Sequence, residues 1–330
     1  MFSFGATLPQ LIMKKILILL ILPLCAFAQT ASFKTAETYF NQKKFDQAQP
    51  LFQAYLNANP DDKKTREYLG DIASYNKDWD TAIDFYEKLS AEDQKNADYH
   101  FKYGGALGMK ALAISRIRAL TYIGDIKEQF TTAAALDPEH IETRWALIEL
   151  YLQLPGILGG STSKAEKYAD ELQQISAIDG YLSKGYIEEY NNNDKEAEKY
   201  YKQAIEVGGS PNTYDKLTNI YEKSNQPEAA IKTAEKSLAK HERNQVNYQI
   251  GKIAAEYDME PQLGITCLRN YIQNHSYKDG VPTHWAYYRL AQIYRNLGDK
   301  KQALECIDKA IASSPNFEEA IAIRADIRNL

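Results

Sequence analysis

An all-α, right-handed superhelical solenoid of about eight helix-turn-helix repeats, closed by a C-terminal capping helix, is the fold that this sequence predicts. Three observations predict it. A phrase of small and large residues recurs at a period near 34: Phe45-x-x-Ala48-x-x-x-Phe52-x-x-Tyr55-Leu56-x-x-x-Pro60 is answered by Trp79-x-x-Ala82-x-x-x-Tyr86-x-x-Leu89, and near the other end by Ala303-x-x-x-Ile307-x-x-Ala310-x-x-x-x-Pro315. Upstream of each phrase runs a second stripe with apolar residues three and four apart, such as Leu69-Gly70-x-x-Ala73 or Leu290-Ala291-x-x-Tyr294. No stretch alternates as a strand would.

The amino-terminal residues are read as an address and not as fold. Met13-Lys14-Lys15 precedes an uncharged run over 16–28 that ends in Ala26-Phe27-Ala28, the three-part pattern of a secretory signal peptide at 1–28, with cleavage between Ala28 and Gln29. At helical rise the run spans about 20 Å, short of a hydrocarbon core of ~30 Å. Translation beginning at Met13 would remove an awkward prefix. Membrane association is expected only through lipidation at Cys25, and Leu24 and Pro23 stand where a lipoprotein needs small residues. An exported protein of the periplasm, or of the periplasmic face of the outer membrane, is the expectation.

The solenoid is assigned to 29–315. Ala36, Tyr39, Ala48, Phe52 and Pro60 mark the first repeat, and Leu69, Gly70, Ala73, Ala82 and Tyr86 the second. The third, lengthened over about 97–138, begins at Tyr103-Gly104 and resumes at Phe130, Ala133 and Pro138. Trp145-Ala146 and then Ala165, Ala169 and Leu172 mark the fourth. Gly185, Ala197, Tyr201 and Ala204 mark the fifth, and Leu217, Tyr221, Ala230 and Ala234 the sixth. Ile250-Gly251-x-x-Ala254 with Gly264, Leu268 and Tyr271 marks the seventh, and Leu290, Ala291, Tyr294, Gly298, Ala303, Ile307, Ala310 and Pro315 the eighth. Ala or Gly lets helix backbones approach, large residues fill the gaps, and Pro ends the second helix. Residues 316–330 read as a helix, N-capped by Asn316, that covers the last repeat.

These positions resemble the tetratricopeptide repeat family. The resemblance implies that the first helix of each repeat, helix A, lines a concave groove that binds a peptide or protein through side chains between its packing positions. The register sends Tyr68, Tyr75, Phe101, Arg144, Tyr186, Tyr190, Lys216, Asn219, Tyr248, Lys252, Tyr288, Arg289 and Gln292 toward that groove. Tyr and Arg combine large contact area with polar tips, as binding surfaces do, and the sequence holds 24 Tyr. Each such Tyr reads equally as helix packing. The family's carboxylate clamp, built from Lys and Asn one turn apart on successive A helices, is expected to be absent.

Two stretches depart from the period. Residues 111–123 stay apolar and helical where a turn is due, which predicts longer helices in the third repeat. The fourth repeat holds a Pro/Gly loop over 154–163, in which Pro155 should end the first helix and Ser163 with Glu166 should box the second. A phosphate cradle is not expected here, because Gly160 is followed by Ser161-Thr162-Ser163-Lys164 and the flanks are helical. Gly104, Gly105 and Gly108 read as places where helices touch.

Composition closes off other classes. A chain of 330 residues with 44% apolar residues and a net charge of −5 is neither disordered nor a phosphate-bound nucleic-acid binder, and its 3 Cys cannot frame a disulfide fold. His100, His140, His241, His275 and His284 show no metal-ligand spacing, and acidic pairs such as Glu188-Glu189 read as solvated helix faces. Cys267 and Cys306 fall at equivalent places in neighbouring repeats, too far apart to bridge. The chain is expected to be a non-enzymatic interaction scaffold or adaptor of the bacterial envelope. It is expected to use no cofactor and no metal, and to bind a protein or peptide and no nucleic acid. The other readings are an envelope glycan-handling protein, stacking sugars on Tyr and Trp, and a hydrolase with an unrecognised site.

Overall fold

A computed structural model describes residues 32–330. The expected signal peptide, its cleavage site and Cys25 lie outside the described residues. Among these residues every regular element is a helix, and consecutive helices pack in pairs as helical repeats of the solenoid class. None is long and apolar enough to cross a membrane. The chain divides into two compact units, one ending at Gly159 and the other beginning at Gly160.

The first unit holds α1 (32–41), α2 (Phe45–Ala58), α3 (Lys63–Tyr75), α4 (Trp79–Glu92), α5 (Ala97–Ala113), α6 (Arg116–Ala119), α7 (Ile123–Leu136) and α8 (Ile141–Gln153). The second holds α9 (Thr162–Ile175), α10 (Ala177–Tyr190), α11 (Asp194–Glu206), α12 (Pro211–Lys223), α13 (Pro227–His241), α14 (Asn244–Tyr257), α15 (Pro261–Gln273), α16 (Thr283–Asn296), α17 (Lys300–Ser313) and α18 (Glu318–Arg328).

One local device makes the pairs. Most helices A end in a three-residue turn containing a left-handed residue: Lys43, Lys77, Asn192, Asn225, Asp258 and Gly298 all have positive φ. The next amide donates back across the helix end, as Asp78 N does to Ala73 O and Gln226 N to Tyr221 O. This is the Schellman closure, and it reverses the chain at once so that helix B folds back on helix A. Helix starts are closed by side chains: Asp62, Asn96 and Ser210 accept from the amides of Thr65, Tyr99 and Thr213.

The repeated small residues are buried completely. Ala48, Ala82, Ala197, Ala230 and Ala303 are all 0% exposed, and the large residues beside them, Phe52, Tyr86, Tyr201 and Ile307, are buried with them. Ala320, Ile323 and Ile327 of α18 join the last repeat's core. Its amino-terminal cap is Phe317, itself buried, and not Asn316.

The two departures from the period differ in detail from expectation. Helix α5 is longer than α3 by about a turn, but α7 is not lengthened. The chain breaks at Ile114 and Ser115, forms the separate short helix α6, and then makes a 3-10 turn at Leu120–Tyr122. In the other stretch, Leu154 before Pro155 is extended and ends α8. The cap of α9 is Ser161, whose hydroxyl accepts from Lys164 N, so Ser163 lies inside the helix and makes no box. Gly104 sits against Phe130, as helix contact requires, whereas Gly105 and Gly108 face open space.

Candidate functional site

The face of the A helices between their packing positions is where a partner would be held, so its side chains are followed along each unit in turn. In the first unit, Glu37 of α1 accepts from both Lys64 Nζ (2.6 Å) and the Tyr68 hydroxyl (3.0 Å) of α3. The Lys64 bond lowers the Glu37 carboxyl, against the effect of burial. One repeat later Lys102 of α5 reaches back to Glu67 (2.5 Å) and Asp71 (2.8 Å) of α3. Burial opposes the Lys102 charge, but the two carboxylates outweigh it and raise the ammonium above its usual value.

In the second unit Lys216 of α12 reaches back to Glu189 of α10 at 3.0 Å, and Lys252 of α14 to Glu222 of α12 at 2.8 Å. Arg289 of α16 reaches Glu256 of α14 at 2.6 Å. In both units, then, a carboxylate of one A helix holds a cation of the next. The same carboxylates also tie helix B to helix A: the Tyr86 hydroxyl donates to Asp71 Oδ1 and the Tyr201 hydroxyl to Glu189 Oε2, each at 2.7 Å. Glu189, read from the sequence as a solvated face, is a joint among three helices.

This ladder decides what the thirteen expected groove residues can do. Arg144 is corrected outright. It is 4% exposed, and its guanidinium donates to the carbonyls of Ala134, Asp137 and His140, closing the end of α7. It is a core residue because a side chain that long, at the first turn of α8, reaches the orphaned carbonyls before it reaches solvent. Tyr68 is half-buried and stacked on Phe52 at 4.6 Å, and Phe101 lies between Phe130 and His140. Tyr75 packs tilted against the Phe45 ring, with centroids 4.3 Å apart, but is 62% exposed.

Among the others, Lys216 lies over the Tyr186 ring at 5.1 Å while bound to Glu189. Tyr190 is 48% exposed, and Asn219 is exposed with its carbonyl accepting from Gln249. Tyr248, Tyr288, Arg289 and Gln292 are brought together: Arg289 covers the Tyr288 ring at 5.3 Å and donates to Gln292, which donates to the Tyr288 hydroxyl. Burial raises the Tyr248 hydroxyl, against the pull of Arg289. Lys216, Lys252 and Arg289 are thus neutralised by the preceding repeat, and beside them the face presents the rings of Tyr186 and Tyr190 and the amides of Asn219 and Gln292.

Among the described residues no group of three His, Cys, Asp or Glu is placed to hold a metal ion. Cys267 and Cys306 are free buried thiols, each pushed up by burial to about 11 and so held as unreactive neutral groups. The sequence signal for the ladder was present: acid and base recur 27 to 35 positions apart from one A helix to the next.

Family models agree with the repeat pattern. Family models described as tetratricopeptide repeat match residues 36–105, 178–207 and 284–322. Among curated proteins, none matches the sequence. Among solved structures, a tetratricopeptide repeat protein from Parabacteroides merdae is 14% identical, over 91% of this chain and 98% of that one, with a TM-score of 0.48. YrrB, described as having an unusual peptide-binding site, is 18% identical over 59% of this chain and 97% of its own, with a TM-score of 0.45. A thermophilic repeat protein from Thermus thermophilus is 13% identical over 74% of this chain and 99% of that one, with a TM-score of 0.39.

Proposed function

The chain is a tetratricopeptide repeat protein, a class of protein-interaction scaffold that is generally non-catalytic, and from that premise we propose that it is an adaptor of the bacterial cell envelope. Its partner is a peptide or protein segment held along the A-helix face of the second unit. The observation that carries this reading is the neutralisation of Lys216, Lys252 and Arg289 by Glu189, Glu222 and Glu256. It leaves a face of tyrosines and amides, suited to a segment recognised by ring contact and hydrogen bonding instead of by a terminal carboxylate. Export is supported by Lys14-Lys15, the apolar run over 16–28 and Ala26-Phe27-Ala28.

Affinity capture from envelope extract tests it. A stoichiometric protein partner is expected, with binding to Tyr186→Ala/Tyr190→Ala weakened at least tenfold and the melting temperature unchanged. Retention of glycan or peptidoglycan alone would replace the adaptor by a carbohydrate-handling protein.

A further inference from the structure

The two lengthened turns have a common position that the groove does not use. In the first unit each helix A ends, and its helix B begins, at the same edge, because the chain reverses between them. At that edge the last turn of α5 carries Leu112, 71% exposed, and the segment between α5 and α7 carries Ile117, 81% exposed, and Leu120, 49% exposed. The residues after α8 carry Ile157, 95% exposed. They come to the same place: Gly159 lies against the Lys127 ammonium, which is about one turn into α7 and so directly after Leu120–Tyr122. These exposed aliphatic side chains stand on the end of α5, on α6 and on the segments that follow α6 and α8.

Charge says what the edge meets. The sequence has no Asp or Glu between Asp98 and Asp125, although the chain as a whole is acidic. Arg116 and Arg118 flank Ile117, and both are exposed. The neighbouring turns of the same unit add Lys43 and Lys77, also exposed. The nearby Lys110 is spent on Asp80 at 2.6 Å, and the turn lysines stand beside exposed Asp46 and Asp78, so Arg116 and Arg118 carry the outward charge next to Ile117, with Asp125 beyond the 3-10 turn. A second copy would bring like charge against like. Exposed aliphatics flanked by arginines suit a surface that is soft, apolar beneath and anionic above.

We propose that this edge of the first unit, with Leu112, Ile117, Leu120 and Ile157 inserted and Arg116 and Arg118 at headgroup level, docks on an anionic phospholipid bilayer. The contact needs no lipid anchor and uses residues of the first unit alone, whereas the A-helix face proposed for the protein partner is built from residues of the second.

Hydrogen exchange of the full chain with vesicles of phosphatidylglycerol and phosphatidylcholine localises the contact whatever the amino-terminal residues do. Exchange is expected to slow at 109–123 and 154–159, to be unaffected there by pure phosphatidylcholine, and to return to the free rate in Ile117→Asp/Ile157→Asp. Arg116→Gln/Arg118→Gln should weaken binding about fivefold per arginine at low salt. Because all four positions are exposed, these variants should melt with the wild type. Unchanged exchange at 109–123 and 154–159 on anionic vesicles overturns the proposal. So does protection there by a protein partner and not by lipid, which would make the edge a protein-docking surface.

Discussion

Gly185 of α10 lies directly beneath the ring of Tyr201 of α11, so close that a β-carbon on it would stand 2.4 Å from Tyr201 Cε1. Tyr201 cannot move away, because it is 0% exposed and its hydroxyl is fixed on Glu189. Gly185→Ala should therefore destabilise by ~1–3 kcal/mol through overpacking. Gly105→Ala should act in the opposite sense. Gly105 has no atom within 4 Å of such a carbon and lies within a helix, so alanine there should stabilise by about 0.5–1 kcal/mol. Urea unfolding of the two variants checks both signs.

The joint that Tyr201 makes also predicts how stability depends on pH. Burial, and then the neighbouring carboxylate, raises the hydroxyls of Tyr86 and Tyr201 far above the ordinary tyrosine value. The Asp71 and Glu67 carboxylates raise Lys102 despite its burial. The folded protein therefore holds protons that the unfolded chain releases near pH 10. The stability these groups contribute is complete below that pH and is lost as pH rises toward their folded values, by ~1.4 kcal/mol per pH unit for each proton held. Urea midpoints measured from pH 8 to 11 should fall steeply above 10, and the fall should be shallower in Tyr86→Phe/Tyr201→Phe.

Arg144 separates a structural cation from a binding one. Its guanidinium closes carbonyls at the end of α7, so Arg144→Ala leaves Ala134 O and Asp137 O without that donor in a buried place. A loss of ~2–4 kcal/mol is expected. The fraction that remains folded should bind a partner as tightly as the wild type. Calorimetry with concentrations corrected for folded protein distinguishes this from a groove residue, whose loss would lower affinity at full stability.

The repeat was legible because packing between helices leaves a one-dimensional trace: a small residue at Ala48, Ala82 or Ala303 is required at each close approach, whatever the surface does. The face was less legible. Tyr68 and Tyr186 look alike in register, yet one stacks on Phe52 and the other lies under Lys216. Which way a long side chain turns depends on the neighbouring repeat, and that neighbour is 27 to 35 residues away. Arg144 was misplaced for the same reason, since its partners are carbonyls, which have no sequence signature. Ser163 and Asn316 show the limit of cap reading, where the helix starts shortly before one and shortly after the other.

The turns between paired helices supply a final test, because they set the same conformation with different residues. Gly298 adopts it with φ of 77° and no β-carbon, and Asn192 and Asn225 adopt it with side chains that tolerate it. Lys77 adopts it with φ of 59° and has neither advantage. Lys77→Gly should raise the unfolding free energy by about 0.5–1 kcal/mol, and Gly298→Ala should lower it by ~1 kcal/mol. Lys77 is also one of the cations of the edge assigned to the bilayer. Lys77→Gly should therefore be more stable in urea and yet bind anionic vesicles less tightly, a pair of opposite changes that neither a purely structural nor a purely electrostatic role for this lysine produces.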